Sequence, residues 1–572
     1  MKMKKNIFTA VAAAVLLTGC VDLDLAPLSE GSSENWFTTE QEVTYALNAL
    51  YDPELWYSEC NRLFHSDRWS DDWNQRTQLY EFVGGTLEST TGHVTKAWAQ
   101  HYKGIARANT ILNSLDKAKE TMTEEKIAQY AGEAKFFRAI FYSYQIFLFG
   151  DVPFYTEYIS LEDAYKIGRT DKYYILEQIY KDFDDAAAVL PDSYSGIARP
   201  TKGAALAMKA RTALWFNDWQ TCAAAAKDCM DLGTYSLHPD FGEFFLSKTK
   251  TSPELIFALP CSNELGIHAY GEAATRSFYP RNNGGTSVAQ PSWELFFAFP
   301  CTDGKFVWES PLYDPANPFA NRDPRLAETC VEFDKEFMDY IYNPRGSAEK
   351  TLQVSTGQMV KNNDSKPIAK DCSYNGMVLK KHVDEEWTDD RLTDAPIRIM
   401  RYGDVLLMYA EAMMEMGKAD QAVLDATVNA LRARAYGCKV SDQTYPHLLA
   451  GDQADLRRMI RNERRIELAW ENRRWFDLIR WRLCDDALTR PIYGLPSNND
   501  LKANEKTGYW IFPKDFRPKM LPSSLIDLSD IENYKTYYTI NVQRAFVTRE
   551  YLHPIPLNER VVCPNLTQNP GY

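Results

Sequence analysis

The sequence predicts a mainly α fold, in which paired helices build a scaffold and a loop-rich lobe sits on one side. Three observations predict it. Phe137, Phe141, Tyr144 and Leu148 recur at i, i+4, i+7 and i+11, which puts one apolar stripe on a helix. Small residues (Ala410, Ala412, Ala419, Ala422) flank the turn Gly417-Lys418, where two helices must approach closely. Between 235 and 398 helical periodicity gives way to clusters of Pro, Gly, Asn and Asp, which punctuate loops.

Taken in order, Thr38 or Thr39 can cap a first helix through Tyr45, Leu47 and Leu50, with acids in its first turn. Helices follow over roughly 94–118 and 123–149, the second ending at Gly150 with Pro153 beyond. Another pair is expected over about 171–190 and 201–232, and a third over 399–416 and 419–435. A last helical stretch covers about 452–484. These helix–turn–helix units resemble tetratricopeptide repeats, although they are not consecutive.

The N-terminus is a processing segment. Lys2, Lys4 and Lys5 precede an apolar run from Ile7 to Leu17 that is too short to span a bilayer. It ends in Leu17-Thr18-Gly19-Cys20, which resembles the lipobox of bacterial lipoproteins and implies an acylated Cys20. Acyl chains anchor durably, each buried methylene adding about 0.8 kcal/mol.

Composition narrows the function. The 572 residues carry a net charge of −14, and without the signal segment 61 basic residues face 78 acidic ones, a net −17. No basic stripe is available for phosphate, so nucleic acid is excluded as a partner. The 33 Tyr and 14 Trp are heavy usage: buried, such rings build cores, and a surplus of them also suits stacking on sugars. Ten cysteines remain beside Cys20, scattered singly without C-x-x-C pairs, which argues against zinc or a disulfide scaffold but leaves one or two disulfides open. The elbow, zincin, P-loop and dinucleotide motifs of common enzymes are absent, and His93 and His101 read as helix surface.

Six stretches together resemble the SusD/RagB family. Phe137-Arg138-Ala139 runs through Tyr144 to Phe149-Gly150-Asp151-Val152-Pro153, and Arg199-Pro200-Thr201-Lys202-Gly203 runs to Ala210-Arg211. Asp303-Gly304 is followed by Asn321-Arg322-Asp323-Pro324-Arg325-Leu326, and Ile397-Arg398 leads to Tyr409-Ala410-Glu411-Ala412. Asn462-Glu463-Arg464-Arg465-Ile466-Glu467-Leu468 leads to Arg474-Trp475-Phe476-Asp477-Leu478, and Pro554-Ile555-Pro556 precedes Gln568-Asn569-Pro570-Gly571-Tyr572. The resemblance implies a tetratricopeptide-like body, a less regular ligand-binding lobe and an acylated N-terminus. It also implies that the protein caps a SusC-like TonB-dependent outer-membrane transporter, with oligosaccharide as the usual cargo and peptide in some members. The expected organisation is a signal peptide over 1–19, an acylated tether over 20–34, a helical region over 35–235, the lobe over 236–398, the second scaffold part over 399–490 and an irregular segment over 491–572.

On one continuous helix, Arg464, Glu467, Leu468, Glu471, Trp475 and Leu478 fall within about 100° of one another. An enzyme would use Glu467 and Glu471 as acid and base, but two carboxylates on one turn leave no opening for a sugar between them. A buried ion-pair ladder, with Arg464 bridging the two glutamates, fits better. For ligand contact, Trp69, Trp73 and Asn74 lie in Arg68-Trp69-Ser70-Asp71-Asp72-Trp73-Asn74-Gln75-Arg76, which mixes flat rings with polar forks. The alternative is that the two tryptophans form one side of a core helix. Tyr279 and Arg281 lie in a loop ending at Gly284-Gly285, which also reads as a plain polar turn, and Trp308 follows Asp303-Gly304. Trp215, Trp293, Trp470 and Trp475 read as core. No metal or cofactor is expected. The rivals to glycan capture are a surface glycan hydrolase, the same role with peptide cargo, and an adaptor lipoprotein that only holds a protein partner.

Overall fold

The computed structural model describes residues 36–60, 66–75, 79–194, 199–367, 371–387 and 392–572. Cys20 and its tether lie outside these residues. The first helix, α1 (Glu40–Asn48), starts at Thr39. Its hydroxyl accepts the Glu42 amide, and the Glu42 carboxylate answers the Thr39 amide in a capping box. Then α2 (Gly92–Ser114), α3 (Glu124–Phe149), α4 (Lys172–Val189), α5 (Lys202–Trp215) and α6 (Trp219–Asp231) follow, each packed on the next. The expected stripe understates α3: every residue from Phe136 to Phe149 is buried, as in a helix surrounded by others. At Gly104 the backbone of α2 comes so near that an added Cβ would lie 2.5 Å from the Phe141 ring.

The single helix expected over 201–232 is two. Asn217 takes a left-handed φ of 58°, and the Asp218 carboxylate caps α6 by accepting the Thr221 amide at 3.1 Å. The chain then runs through β1 (Leu255–Leu259), α7 (Trp293–Ala298) and the paired strands β2 (Lys350–Gln353) and β3 (Gln358–Lys361). It returns in β4 (Ile397–Arg401), antiparallel to β1, and enters α8 (Tyr402–Glu415), which packs on α6. The irregular stretch is thus inserted between two helices that touch. Beyond it, the helix expected over 419–435 breaks at Thr427 into α9 (Gln421–Ala426) and α10 (Val428–Ala435). The last helical stretch breaks as well, into α11 (Gln453–Glu467) and α12 (Arg474–Arg480).

Two main apolar cores result. One holds the scaffold helices. The other gathers Tyr279, Trp293 and Trp387 of the insertion with Ile466 and Trp470 and with Tyr493, Trp510 and Ile531 of the C-terminal segment. The four tryptophans expected in the core are buried there (Trp215, Trp293, Trp470 and Trp475). His101, expected on a surface, is buried and pairs with the Ser58 hydroxyl at 3.2 Å. Nine described cysteines carry free thiols.

Charged side chains fill the space between the cores. Arg401 lies 2.7 Å from Glu254, 2.9 Å from Glu467 and 2.7 Å from Glu471. Glu467 also meets Arg325 at 2.8 Å and Arg434 at 2.5 Å, while Arg325 reaches Glu463 at 2.7 Å. Arg464 does not bridge Glu467 and Glu471 as expected. It pairs with Asp404 at 2.7 Å and Asp477 at 2.8 Å, because the helix ends at Glu467 and Trp470 and Asn472 take left-handed φ values of 60° and 59°. The turn is held from the insertion: the buried Lys381 ammonium donates to the carbonyls of Glu467 (3.1 Å) and Ala469 (2.8 Å) and pairs with Glu471 (2.7 Å).

Removing one partner of a buried ion pair leaves an uncompensated charge and costs about 3–5 kcal/mol. Arg401→Met is therefore expected to lower the unfolding free energy in urea by about that amount; a loss under about 1 kcal/mol would show the network to be dispensable.

Acid should also unfold the protein early. Burial holds the His101 and His553 imidazoles down to about 3 from an ordinary 6.5, so the unfolded chain binds those protons first as pH falls. Burial opposes ionisation of Glu471, but Arg401 and Lys381 outweigh it and hold the carboxyl down to about 2 from 4.5. Stability present at neutral pH is thus lost below pH 6.5 through the histidines and below pH 4.5 through Glu471. Urea midpoints should fall continuously from pH 6.5 to pH 3, and a flat profile across that range would refute the assignment.

Candidate functional site

The segment that sequence reasoning favoured is a structural clip. Asp67–Trp69 forms a short 3-10 turn, so the two tryptophans do not share a helix. Trp69 is buried in the scaffold core, stacked on Phe82 at 4.0 Å and edge-on to Trp475 at 5.3 Å. Trp73 is buried in the other core, stacked on Trp470 at 4.4 Å. Neither presents an open ring to a sugar. The intervening acids are equally occupied: Asp71 meets Arg474 at 2.7 Å and Arg465 at 3.0 Å, and Asp72 meets Arg465 at 2.7 Å. Asn74 donates its side-chain amide to Gln290 Oε1 at 2.7 Å and its backbone amide to the Gln290 carbonyl at 2.8 Å. The mixture of rings and polar groups thus fastens the N-terminal segment to the insertion.

Tyr279 is also buried, and its loop is closed instead of flexible. The Asp364 carboxylate, which burial pushes up to about 6, accepts the amides of Arg281 at 2.7 Å and Asn282 at 3.2 Å. A Cβ added at Gly285 would lie 2.0 Å from the Tyr279 carbonyl, so only glycine fits. Arg281 is half-buried and donates to the Gly285 carbonyl at 2.6 Å. Trp308 is half-buried and lies parallel to Phe306 at 4.8 Å, the one predicted tryptophan that keeps access to solvent. The six expected residues are spread over both cores and the surface and form no single site.

A cleft of about 230 Å³, lined by the insertion and by Trp510 of the C-terminal segment, keeps rings and polar groups together at the surface. Its wall is the half-buried rings of Phe319 and Phe333, backed by the buried Trp510: Phe333 stands edge-on to Phe319 at 5.0 Å and to Trp510 at 4.9 Å. Asn317, Asp334 and Arg345 line it as well. The Arg345 guanidinium lies 5.2 Å from the Trp510 ring centre and 2.5 Å from Asp334. Short-range turns set these groups. Asp314 accepts the Ala316 amide at 2.9 Å, Asp334 sits at a φ of 61° with its amide on the Tyr342 carbonyl, and Asn343 accepts the Arg345 amide at 3.1 Å. Apolar rings beside a partly exposed ion pair offer a face for C–H groups and forks for hydroxyls. No sequence signal marks this site, because Phe319 and Trp510 come from distant parts of the chain. Glu467 and Glu471, the one tempting acid–base pair, are both saturated by cations and held well below the ordinary carboxylate range. Among the described residues, no group of three His, Cys, Asp or Glu could hold a metal ion, and no helix is long and apolar enough to cross a membrane.

Known proteins share this architecture. A SusD-like protein of Formosa agariphila is 27% identical over 496 residues, covering 84% of this chain and 91% of that protein. A SusD-like protein of Bacteroides ovatus is 22% identical over 84% of this chain and 83% of its own. The solved structure of a SusD-like carbohydrate binding protein from Bacteroides fragilis matches with a TM-score of 0.74 and 26% identity, covering 93% of this chain and 99% of that one. The family description "Starch-binding associating with outer membrane" matches residues 23–214. The description "SusD family" matches residues 253–572, more than half of the sequence, and the chain belongs to that family.

Proposed function

We propose that this protein captures glycan at the outer surface of the cell and delivers it to a SusC-like TonB-dependent transporter in the outer membrane. Acyl chains on Cys20 hold it there, and binding involves no covalent step. The observation that carries the reading is the cleft of Phe319, Phe333 and Trp510 with the Asp334–Arg345 pair at its side. Sugars need that combination: a ring face for C–H groups and fixed polar partners for hydroxyls. Family membership supports it, as does the similarity to the SusD-like carbohydrate binding protein of B. fragilis. Trp308 and Arg281, both half-buried, are the sequence-derived candidates that can still contribute to contact. Affinity per site is modest, because each hydroxyl exchanges good water contacts for protein ones.

Calorimetric titration of the purified protein with maltoheptaose and laminariheptaose, neutral glucans of two linkages, tests this. At least one should bind, Arg345→Ala should weaken it about tenfold, equivalent to about 1.4 kcal/mol, and no new reducing ends should appear. Absence of binding to both, or reducing ends from pure protein, would refute the proposal.

A further inference from the structure

A second cleft, of about 450 Å³, opens where the scaffold meets the insertion. It is about twice the size of the first and within the range of about 300–1,000 Å³ typical of small-molecule sites. Residues Leu255 to Ala258 of β1 and Pro260 form part of its lining, while the Phe257 ring packs into the scaffold core against Trp56 and Phe136. The β1 strand belongs to a two-stranded sheet, paired with β4 along one edge only, and Ile256 sits in a bulge with no partner across the ladder. The strand therefore brings both apolar surface and main-chain polar groups to the cleft.

Two half-buried tyrosines line it, Tyr194 and Tyr235. Each ring is tied by its hydroxyl: Tyr235 shares a 2.7 Å hydrogen bond with Thr201, and Tyr194 accepts from Gln129 at 2.8 Å. The Tyr235 ring lies against α5 so closely that a Cβ at Gly203 would come within 2.3 Å of it. Rings fixed in advance lose little freedom when a ligand stacks on them.

The electrostatics choose the ligand. Both cations in the lining are already neutralised. Arg199 lies 2.6 Å from Glu133 and donates to Asn48 at 2.9 Å, and Lys250 is ion-paired with Asp394. An anion would meet no uncompensated positive charge here and would face the carboxylate of Asp192, while the hydroxyls of Thr201, Ser252 and the two tyrosines, each already bonded within the protein, keep lone pairs for a ligand's donors. A neutral, hydroxyl-rich ligand with apolar ring faces can donate to Asp192 and to the remaining hydroxyl lone pairs while its ring faces meet the tyrosines.

We propose that this cleft is a second carbohydrate site, which takes a short neutral oligosaccharide lying along the free edge of β1 between Tyr194 and Tyr235. The inference rests on the glycan-capture reading, and it assigns that function a second point of contact on the scaffold side.

The test is titration of the full-length protein in detergent with the same two heptasaccharides, comparing wild type, Arg345→Ala, Tyr194→Ala and Thr251→Trp. Thr251 is an exposed lining residue, so its replacement fills the cleft without touching a core. The expected result is two ligands per chain. Tyr194→Ala and Thr251→Trp each remove one binding event at least tenfold while their melting temperatures stay at the wild-type value, and Arg345→Ala removes the other. One ligand per chain, lost in Arg345→Ala and untouched by both cleft variants, would overturn the inference and leave the glycan reading intact. Absence of any sugar binding in wild type would overturn both. Binding of a casein peptide digest that Thr251→Trp abolishes, with no sugar competing, would also overturn it, since the cleft would then be a peptide site.

Discussion

Arg401 and Glu467 form the contact on which the remaining structure depends. Arg401 ends the strand that brings the chain back from the insertion, and Glu467 ends the helix α11, so their pairing joins the insertion's exit to the scaffold. Arg325 and Lys381 reach the same point from within the insertion, and Glu254 from the start of β1. Each carboxylate is shared by several cations, and each guanidinium by several acids. In a low-dielectric interior such a cluster is costly to desolvate and intolerant of any missing member, which favours one arrangement over near alternatives.

The same constraint explains why the chain turns where it does. A continuous helix through Leu468 to Arg473 would carry Glu471 around with it. Lys381 instead caps the freed carbonyls of Glu467 and Ala469, and the left-handed residues Trp470 and Asn472 redirect the chain so that Trp470 stacks on Trp73. Asp71 and Asp72, which directly precede Trp73, lock onto Arg474 and Arg465. The insertion is therefore fixed to the scaffold by buried charge and stacked rings together, and both clefts are presented by a preformed surface. Little ordering cost accompanies binding to a preformed surface.

Helix positions were legible in the sequence where periodicity and a stop signal agree, as in α3, whose apolar stripe ends at Gly150. Breaks inside helical patterns were not. The turn at Asn217-Asp218 carries cap residues but interrupts no hydrophobic pattern, and the turn after Glu467 is imposed by Lys381, a residue far away in sequence. The charge pattern of 462–477 announced a buried ion network, yet its partners could not be read, since Arg464 pairs with Asp404 and Asp477 and not with the glutamates on its own helical face. Around Trp69 and Trp73 the composition misled for a physical reason. Rings among acids and amides describe a sugar platform and a buried junction equally well, and only the three-dimensional arrangement of Arg465, Arg474 and Gln290 separates them. The lobe cleft was invisible because its wall is assembled from Phe319, Phe333 and Trp510, which no local spacing links.

The central claim is that buried charge makes scaffold and insertion one folding unit. Hydrogen exchange followed by mass spectrometry across a urea series tests it most directly, by comparing peptides from α3 with peptides from α7 and β2. The account predicts one midpoint shared by all three, as expected for a single cooperative transition. A lower midpoint for α7 and β2, with α3 still protected, would contradict it and show that the insertion unfolds on its own.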